Sequence, residues 1–222
     1  MSEKIRVWDL PTRLFHWALV LCVSGLFTTA WFGSSDLLWH FRFGYATLSL
    51  LLFRLVWGLV GGHWSRFGSF LFAPATLKRY LRGEVQPELY LGHSPTAALS
   101  VFAMLGILLL QIATGLFSDD EVSAQGPLTA WVPNAWVEGL TFYHADIGQY
   151  LVLALVGLHV AAVAYYLLFK KQNLVRSMFT GDKSALPSPV VNSRDDSWKR
   201  LLALAIYLVC LGLVLWLLKL AG

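Results

Sequence analysis

Residues 142–169 read FYHADIGQYLVLALVGLHVAAVAYYLLF, an apolar run that carries one carboxylate, Asp146, and two histidines, His144 and His159. A helix needs about 20 apolar residues to cross a hydrocarbon layer about 30 Å thick, and this run has them. In hydrocarbon every backbone amide and carbonyl must be satisfied within the segment, so the span is a helix. At about 100° and 1.5 Å per residue, the two histidines stand about 60° off a common face and about 22 Å apart along the axis. One helix thus offers two imidazoles toward one interior at two depths.

Working outward, four further runs have the same character, at about Leu14–Phe32, His40–Val60, Thr96–Phe117 and Leu201–Leu218. Only 14% of the 222 residues are charged and 57% are hydrophobic, against about 25% charged in a soluble domain. The reading is an all-α integral membrane protein: a four-helix unit over 1–181, a flexible Pro- and Ser-containing cytoplasmic linker over 182–198, and a fifth membrane helix within 199–222. Lys4, Arg6 and Arg13 precede the first span as the basic start of a signal peptide would. The span is long for a signal core and holds a histidine and aromatics, which favours a permanent helix.

The net charge is +4, but the basic residues sit between apolar runs, so they report topology and not nucleic-acid binding. Fourteen of the 17 lie on one side. They are Lys4, Arg6 and Arg13 before the first span; Arg66, Lys78, Arg79 and Arg82 between the second and third; and Lys170, Lys171, Arg176, Lys183, Arg194, Lys199 and Arg200 between the fourth and fifth. The opposite connections, Gly33 to Trp39 and Ser118 to Thr141, contain none. This places the amino terminus in the cytoplasm and the carboxyl terminus outside. The 62–93 connection, with Pro74, Pro87 and the basic amphipathic piece Ala75–Arg82, is expected to lie along the inner membrane surface.

Ionisable residues within spans need partners to offset their desolvation. His16 lies on the inner side of the first span and His159 in the inner half of the fourth. His40 opens the second span on the outer side, where His144 also lies. Depth therefore matches His40 with His144 and His16 with His159, an arrangement suited to two-histidine ligation of a flat iron macrocycle between helices. Arg54, fourteen residues after His40, returns to nearly the same face about 21 Å deeper. A haem propionate would satisfy its guanidinium, and Arg13 could serve another at the membrane edge. Two alternatives remain open: single histidines bonded to neighbouring helices, and a bare metal site, although the His pair at i and i+4 that zinc favours is absent. His63 and His93 flank the cytoplasmic connection and read as interfacial. Cys22 and Cys210 read as packing residues. No C-x-x-C-H occurs, which excludes covalently attached c-type haem.

Several stretches together resemble the bacterial b561-type cytochromes and the b-type cytochrome subunits of nickel–iron hydrogenases. They are Val7-Trp8-Asp9-Leu10-Pro11-Thr12-Arg13-Leu14-Phe15-His16-Trp17, Trp39-His40-Phe41-Arg42-Phe43-Gly44-Tyr45, Phe53-Arg54-Leu55-Val56-Trp57-Gly58, Gly92-His93-Ser94-Pro95, Thr114-Gly115-Leu116-Phe117, Gly157-Leu158-His159-Val160 and Met178-Phe179-Thr180-Gly181. The likeness covers roughly residues 5 to 181. It implies a four-helix bundle in the bacterial inner membrane with two non-covalent b haems, His16 and His159 matching the ligand positions of the inner one and His40 and His144 those of the outer one. It also implies exchange of electrons with a quinone, ubiquinone or menaquinone, and with a redox partner outside the membrane. The fifth helix departs from the pattern, and so does Gly-His-Ser-Pro where Gly-His-Asn-Pro is more usual.

Two haems about 20 Å apart would leave only a short gap for an electron to cross. The expected function is an electron conduit between the quinone pool and an extracytoplasmic redox protein such as a c-type cytochrome. Asp119, Asp120 and Glu121 would attract a basic partner, and a solvated acidic turn is the plain alternative. Two competing functions are the membrane anchor of a nickel–iron hydrogenase and a superoxide:ubiquinone oxidoreductase. The second ranks lower, because Arg42 alone is basic at the outer rim and an anionic substrate calls for more.

Overall fold

The structure of the protein, a computed structural model, describes residues 4–33, 37–84, 91–122, 124–184 and 191–221. Pro87, Pro187 and Pro189, and part of the Gly33–Trp39 connection, lie outside the described residues. The elements in chain order are β1 (Lys4–Arg6), α1 (Leu10–Phe32), α2 (Leu38–Val60), α3 (Pro74–Leu81), α4 (Pro95–Gly115), α5 (Asn134–Phe142), a π-helical turn (Tyr143–Gly148), α6 (Gln149–Leu168), α7 (Leu174–Thr180), β2 (Asp182–Ser184) and α8 (Ser197–Ala221). Among the described residues five segments are long and apolar enough to cross a membrane: α1, α2, α4, the continuous stretch from α5 through α6, and α8. Their apolar side chains stand open in quantity, Leu21, Leu158, Leu208 and Trp216 among them. In water that exposure would be costly, whereas lipid tails are the solvent it suits. The chain is an all-α integral membrane protein with five spans.

The expected spans fall within a few residues of these helices except the fourth, which begins earlier, at Asn134. The expected amphipathic piece is α3, opened by Pro74 in the first turn, where a missing N–H does no harm.

The chain divides into two compact units, each drawing on all five spans. One comprises Met1–Phe15, Arg54–Ala103 and Leu158–Ile206. Its core gathers Ile5, Val7 and Trp8 with Trp64, Leu91 and Met178 packed against them. Asp9, fully buried, organises this unit. Its carboxylate accepts from the Thr12 amide (2.9 Å), which caps the start of α1. It also accepts from the Gly62 amide (3.1 Å), the Ser65 hydroxyl (2.7 Å) and the Trp57 indole (3.3 Å). Four donors on one carboxylate tie the amino terminus to the turn that follows α2.

The 182–198 segment, expected as a flexible linker, is fastened wherever it is described. Asp182–Ser184 pairs antiparallel with Lys4–Arg6. Ser193 donates its amide to Arg6 O and its hydroxyl to Val7 O, both at 2.8 Å. Asp195 gathers Arg6 (3.6 Å), Arg13 (3.8 Å) and Arg200 (3.1 Å). Lys199 donates to Val60 O at the end of α2 (2.9 Å), a cation placed where helix carbonyls are left over. Hydropathy gives no sign of these polar fastenings, which is why the segment reads as loose from sequence.

The other unit comprises His16–Phe53, Met104–Gly157 and Tyr207–Gly222. Its core contains Leu50, Leu51, Leu105, Leu108, Ile112 and Val152, with Cys210 buried among apolar residues as expected.

Candidate functional site

In this second unit α2 contributes His40 from its first turn, and the π turn contributes His144. Their rings stand perpendicular, with centroids 6.2 Å apart. Each ring is held by its Nδ1 against a backbone carbonyl, His40 on Leu26 O (3.1 Å) and His144 on Gln111 O (2.8 Å). A carbonyl only accepts, so Nδ1 carries the proton in both neutral rings. Nε2 is left with its lone pair, the state an imidazole needs to bind a metal. Both histidines line a cavity of about 320 Å³, together with Phe27, Tyr45, Leu108 and Ile112. That volume falls in the range of small-molecule and cofactor sites.

The π turn corrects the phase expected for the fourth span. A π turn takes one residue more than an α turn, so the offset of about 60° computed for a regular α-helix does not hold between His144 and His159. The turn's own satisfaction comes from α4, where the Gln111 side-chain amide donates to His144 O at 2.9 Å.

His16 and His159 fall in different units. Both are half-buried, and His16 sets its ring edge-on to Trp17 at 5.1 Å.

In the first unit Arg54 is buried, only 3% exposed, with its guanidinium 4.7 Å above the Phe67 ring. Its Nη1 has no hydrogen-bond partner among the described residues. Arg13 is more engaged. It donates to Phe179 O at the end of α7 and pairs with Asp195 at 3.8 Å, so any propionate reaching it would compete with both. His93 packs between Trp8 (centroids 4.8 Å) and Phe70 (4.3 Å). Burial, with Arg54 and Lys183 nearby, pushes its pKa down to about 3, so it is neutral at physiological pH. Burial likewise lowers Lys183 to about 8, and its Nζ donates to Leu91 O (2.8 Å). His63 lies edge-on to Trp64 at 4.8 Å.

Among the described residues no group of three or more His, Cys, Asp or Glu side chains gathers as a bare metal ion would require. In the connection between α4 and α5, Asp119 accepts from the Glu121 amide (2.8 Å), and Asp120 from the amides of Val122 (3.0 Å) and Ala124 (2.8 Å). Two of the three acidic residues therefore also shape the turn that carries them.

Sequence reasoning missed Gln111 and the role of Asp9. The single carboxamide in the apolar run of α4 was the signal for the first. An Asp just ahead of Leu10-Pro11 was the signal for the second, since Asp and Pro both favour helix starts.

The family model for prokaryotic cytochrome b561 matches residues 7–181. Similar proteins include the "probable Ni/Fe-hydrogenase B-type cytochrome subunit" of Bradyrhizobium diazoefficiens, 26% identical over 81% of this chain and 85% of the relative. The protein of the same description from Rhizobium leguminosarum is 24% identical over 82% and 89%. The corresponding hydrogenase 1 subunit of Escherichia coli K12 is 28% identical over 49% and 57%. No solved structure matches the chain. With five membrane-crossing helices and a family match over most of its length, the chain belongs to the prokaryotic cytochrome b561 family and is a multi-pass membrane cytochrome b, a b-haem-binding protein of electron transfer.

Proposed function

We propose that the protein holds two b haems, each between two histidines, and conducts electrons across the bilayer between the quinone pool and a redox protein on the extracytoplasmic side. The observation that carries this reading is the His40–His144 pair. The ring centroids stand 6.2 Å apart, close enough that both imidazoles would hold one haem iron between them. The Nδ1 bonds leave both Nε2 atoms free to ligate, and the cavity's lining is mostly apolar. His16 and His159 are taken as the second pair on the depth argument and the family match.

Haem supplies the one-electron chemistry, and this chain's residues hold it, orient it and keep it dry. His40 and His144 would hold the outer haem through their Nε2 atoms. Arg54, whose enclosed Nη1 has no hydrogen-bond partner among the described residues, suits a propionate carboxylate. Arg13 is a second candidate at the membrane edge.

The distribution of Lys and Arg supports a cytoplasmic amino terminus and a periplasmic carboxyl terminus, and the family match supports a bacterial inner membrane. Residues 1–181 then form the electron-carrying domain and 199–222 an added span. Asp119, Glu121, Glu138 and Asp146 line one depression of about 560 Å³. It lies on the outer side in this orientation and would attract a basic partner such as a c-type cytochrome. The relatives' names favour a second reading of the partner, a nickel–iron hydrogenase anchored by this chain. Quinol added to proteoliposomes should reduce both haems of the wild type, and one of them should be missing in His40→Ala. Haems that quinol leaves oxidised would contradict the quinone link.

A further inference from the structure

Gln111 touches His144 twice. Its backbone carbonyl takes the ring's Nδ1 proton at 2.8 Å, and its side-chain amide reaches the His144 carbonyl at 2.9 Å. The orientation of that amide is fixed by chemistry, because a carbonyl oxygen accepts and only the NH2 end can donate. His144 sits inside the π turn Tyr143–Gly148, where its carbonyl accepts a donor from outside the turn. Gln111 supplies that donor. The other end of the amide, Oε1, is enclosed and has no hydrogen-bond partner among the described residues. It lies against Gly148, where a Cβ would collide with it. An amide kept in apolar surroundings with one end unsatisfied is expensive, and the contact it does make is to the backbone of a proposed ligand.

We infer that Gln111 is the positioning residue of the outer histidine pair: its side chain holds the π turn open at His144 and thereby sets the plane and aim of that imidazole toward His40. The inference rests on the reading of His40 and His144 as haem ligands. Gln111 would not touch the haem. It would act through His144, as groups bonded to a ligating imidazole do when they orient it and tune its basicity.

The test uses the full-length haem-loaded protein. Gln111→Leu removes the donor at similar size. The low-spin EPR signal of a haem with two imidazole ligands depends on the angle between the ring planes, so its g maximum should shift. The outer haem's midpoint potential should move with it, and transfer of that haem to apomyoglobin should become about 10- to 100-fold faster. Gly148→Ala leaves Gln111 in place but drives its amide away, and should reproduce the same changes. Wild-type spectrum, potential and transfer rate in Gln111→Leu would overturn the inference, and so would a wild-type signature in Gly148→Ala if Gln111→Leu does not accumulate. His144→Ala separates the two levels. Retention of the outer signal there sinks the ligation reading itself. Loss of that signal there, with both other variants like wild type, sinks only the role of Gln111.

Discussion

Gly115 lies against the ring of His144: a Cβ at position 115 would stand 2.6 Å from Cε1 and 3.0 Å from Nδ1 of the imidazole. An alanine there has the higher helix propensity, yet it would push His144 off its carbonyl anchor. Gly115→Ala should therefore keep or raise thermal stability in the haem-free state while lowering occupancy of the haem proposed at His40 and His144. Haem titration alongside melting checks both halves. A variant with full haem content would show that the ring has room to spare.

Asp9 predicts a stability effect. Its carboxylate is fully buried and takes four hydrogen bonds. Asp9→Ala strands those donors and leaves Arg54 without its nearby negative charge. A loss of about 3–5 kcal/mol is expected for removing one member of a buried charged network. Asp9→Asn, which keeps an acceptor oxygen, should lose less. Melting in detergent measures both, and equal melting of Asp9→Ala and wild type would contradict the account.

His93 gives a pH prediction. Its pKa is held down to about 3 in the fold, against an ordinary value of 6.5. Between those values the unfolded chain binds a proton that the folded chain refuses, so stability falls as pH drops through that window and is unaffected by His93 above it. His93→Phe keeps a ring between Trp8 and Phe70 and should lose less stability between pH 7 and pH 4 than the wild type does. An identical acid dependence in the two proteins would count against the assignment.

The acidic connection separates charge from shape. Asn at 119 and 120 can still accept the turn's amide bonds, so Asp119→Asn, Asp120→Asn and Glu121→Gln together remove three charges with little change in backbone. Association with a basic c-type cytochrome, followed by stopped flow at low salt, should slow about tenfold, and the difference should shrink as salt rises. An unchanged rate would remove this face as a docking site.

The spans were legible because hydrocarbon imposes a length and a composition that no other environment demands. The approach of His40 to His144 was legible for the same reason, since an imidazole in an apolar run asks for a partner. The π turn was not, because one extra residue in a turn leaves no mark on hydropathy. The pairing of Lys4–Arg6 with Asp182–Ser184 was equally hidden, because three-residue strands at opposite ends of a chain carry no periodicity. Asp9 and Arg13 stood in the stretch that carries the family resemblance, yet both act largely as structural fastenings. Residue type alone cannot tell a guanidinium reserved for a cofactor from one that holds helix ends together.

The most direct test of the paired-histidine account is the haem-to-protein ratio of purified protein, by pyridine haemochrome, in wild type, His40→Ala and His144→Ala. The account predicts two b haems per chain in the wild type and one in each variant. Two haems retained in His144→Ala, or wild-type protein purified without haem after haem-sufficient expression, would contradict it.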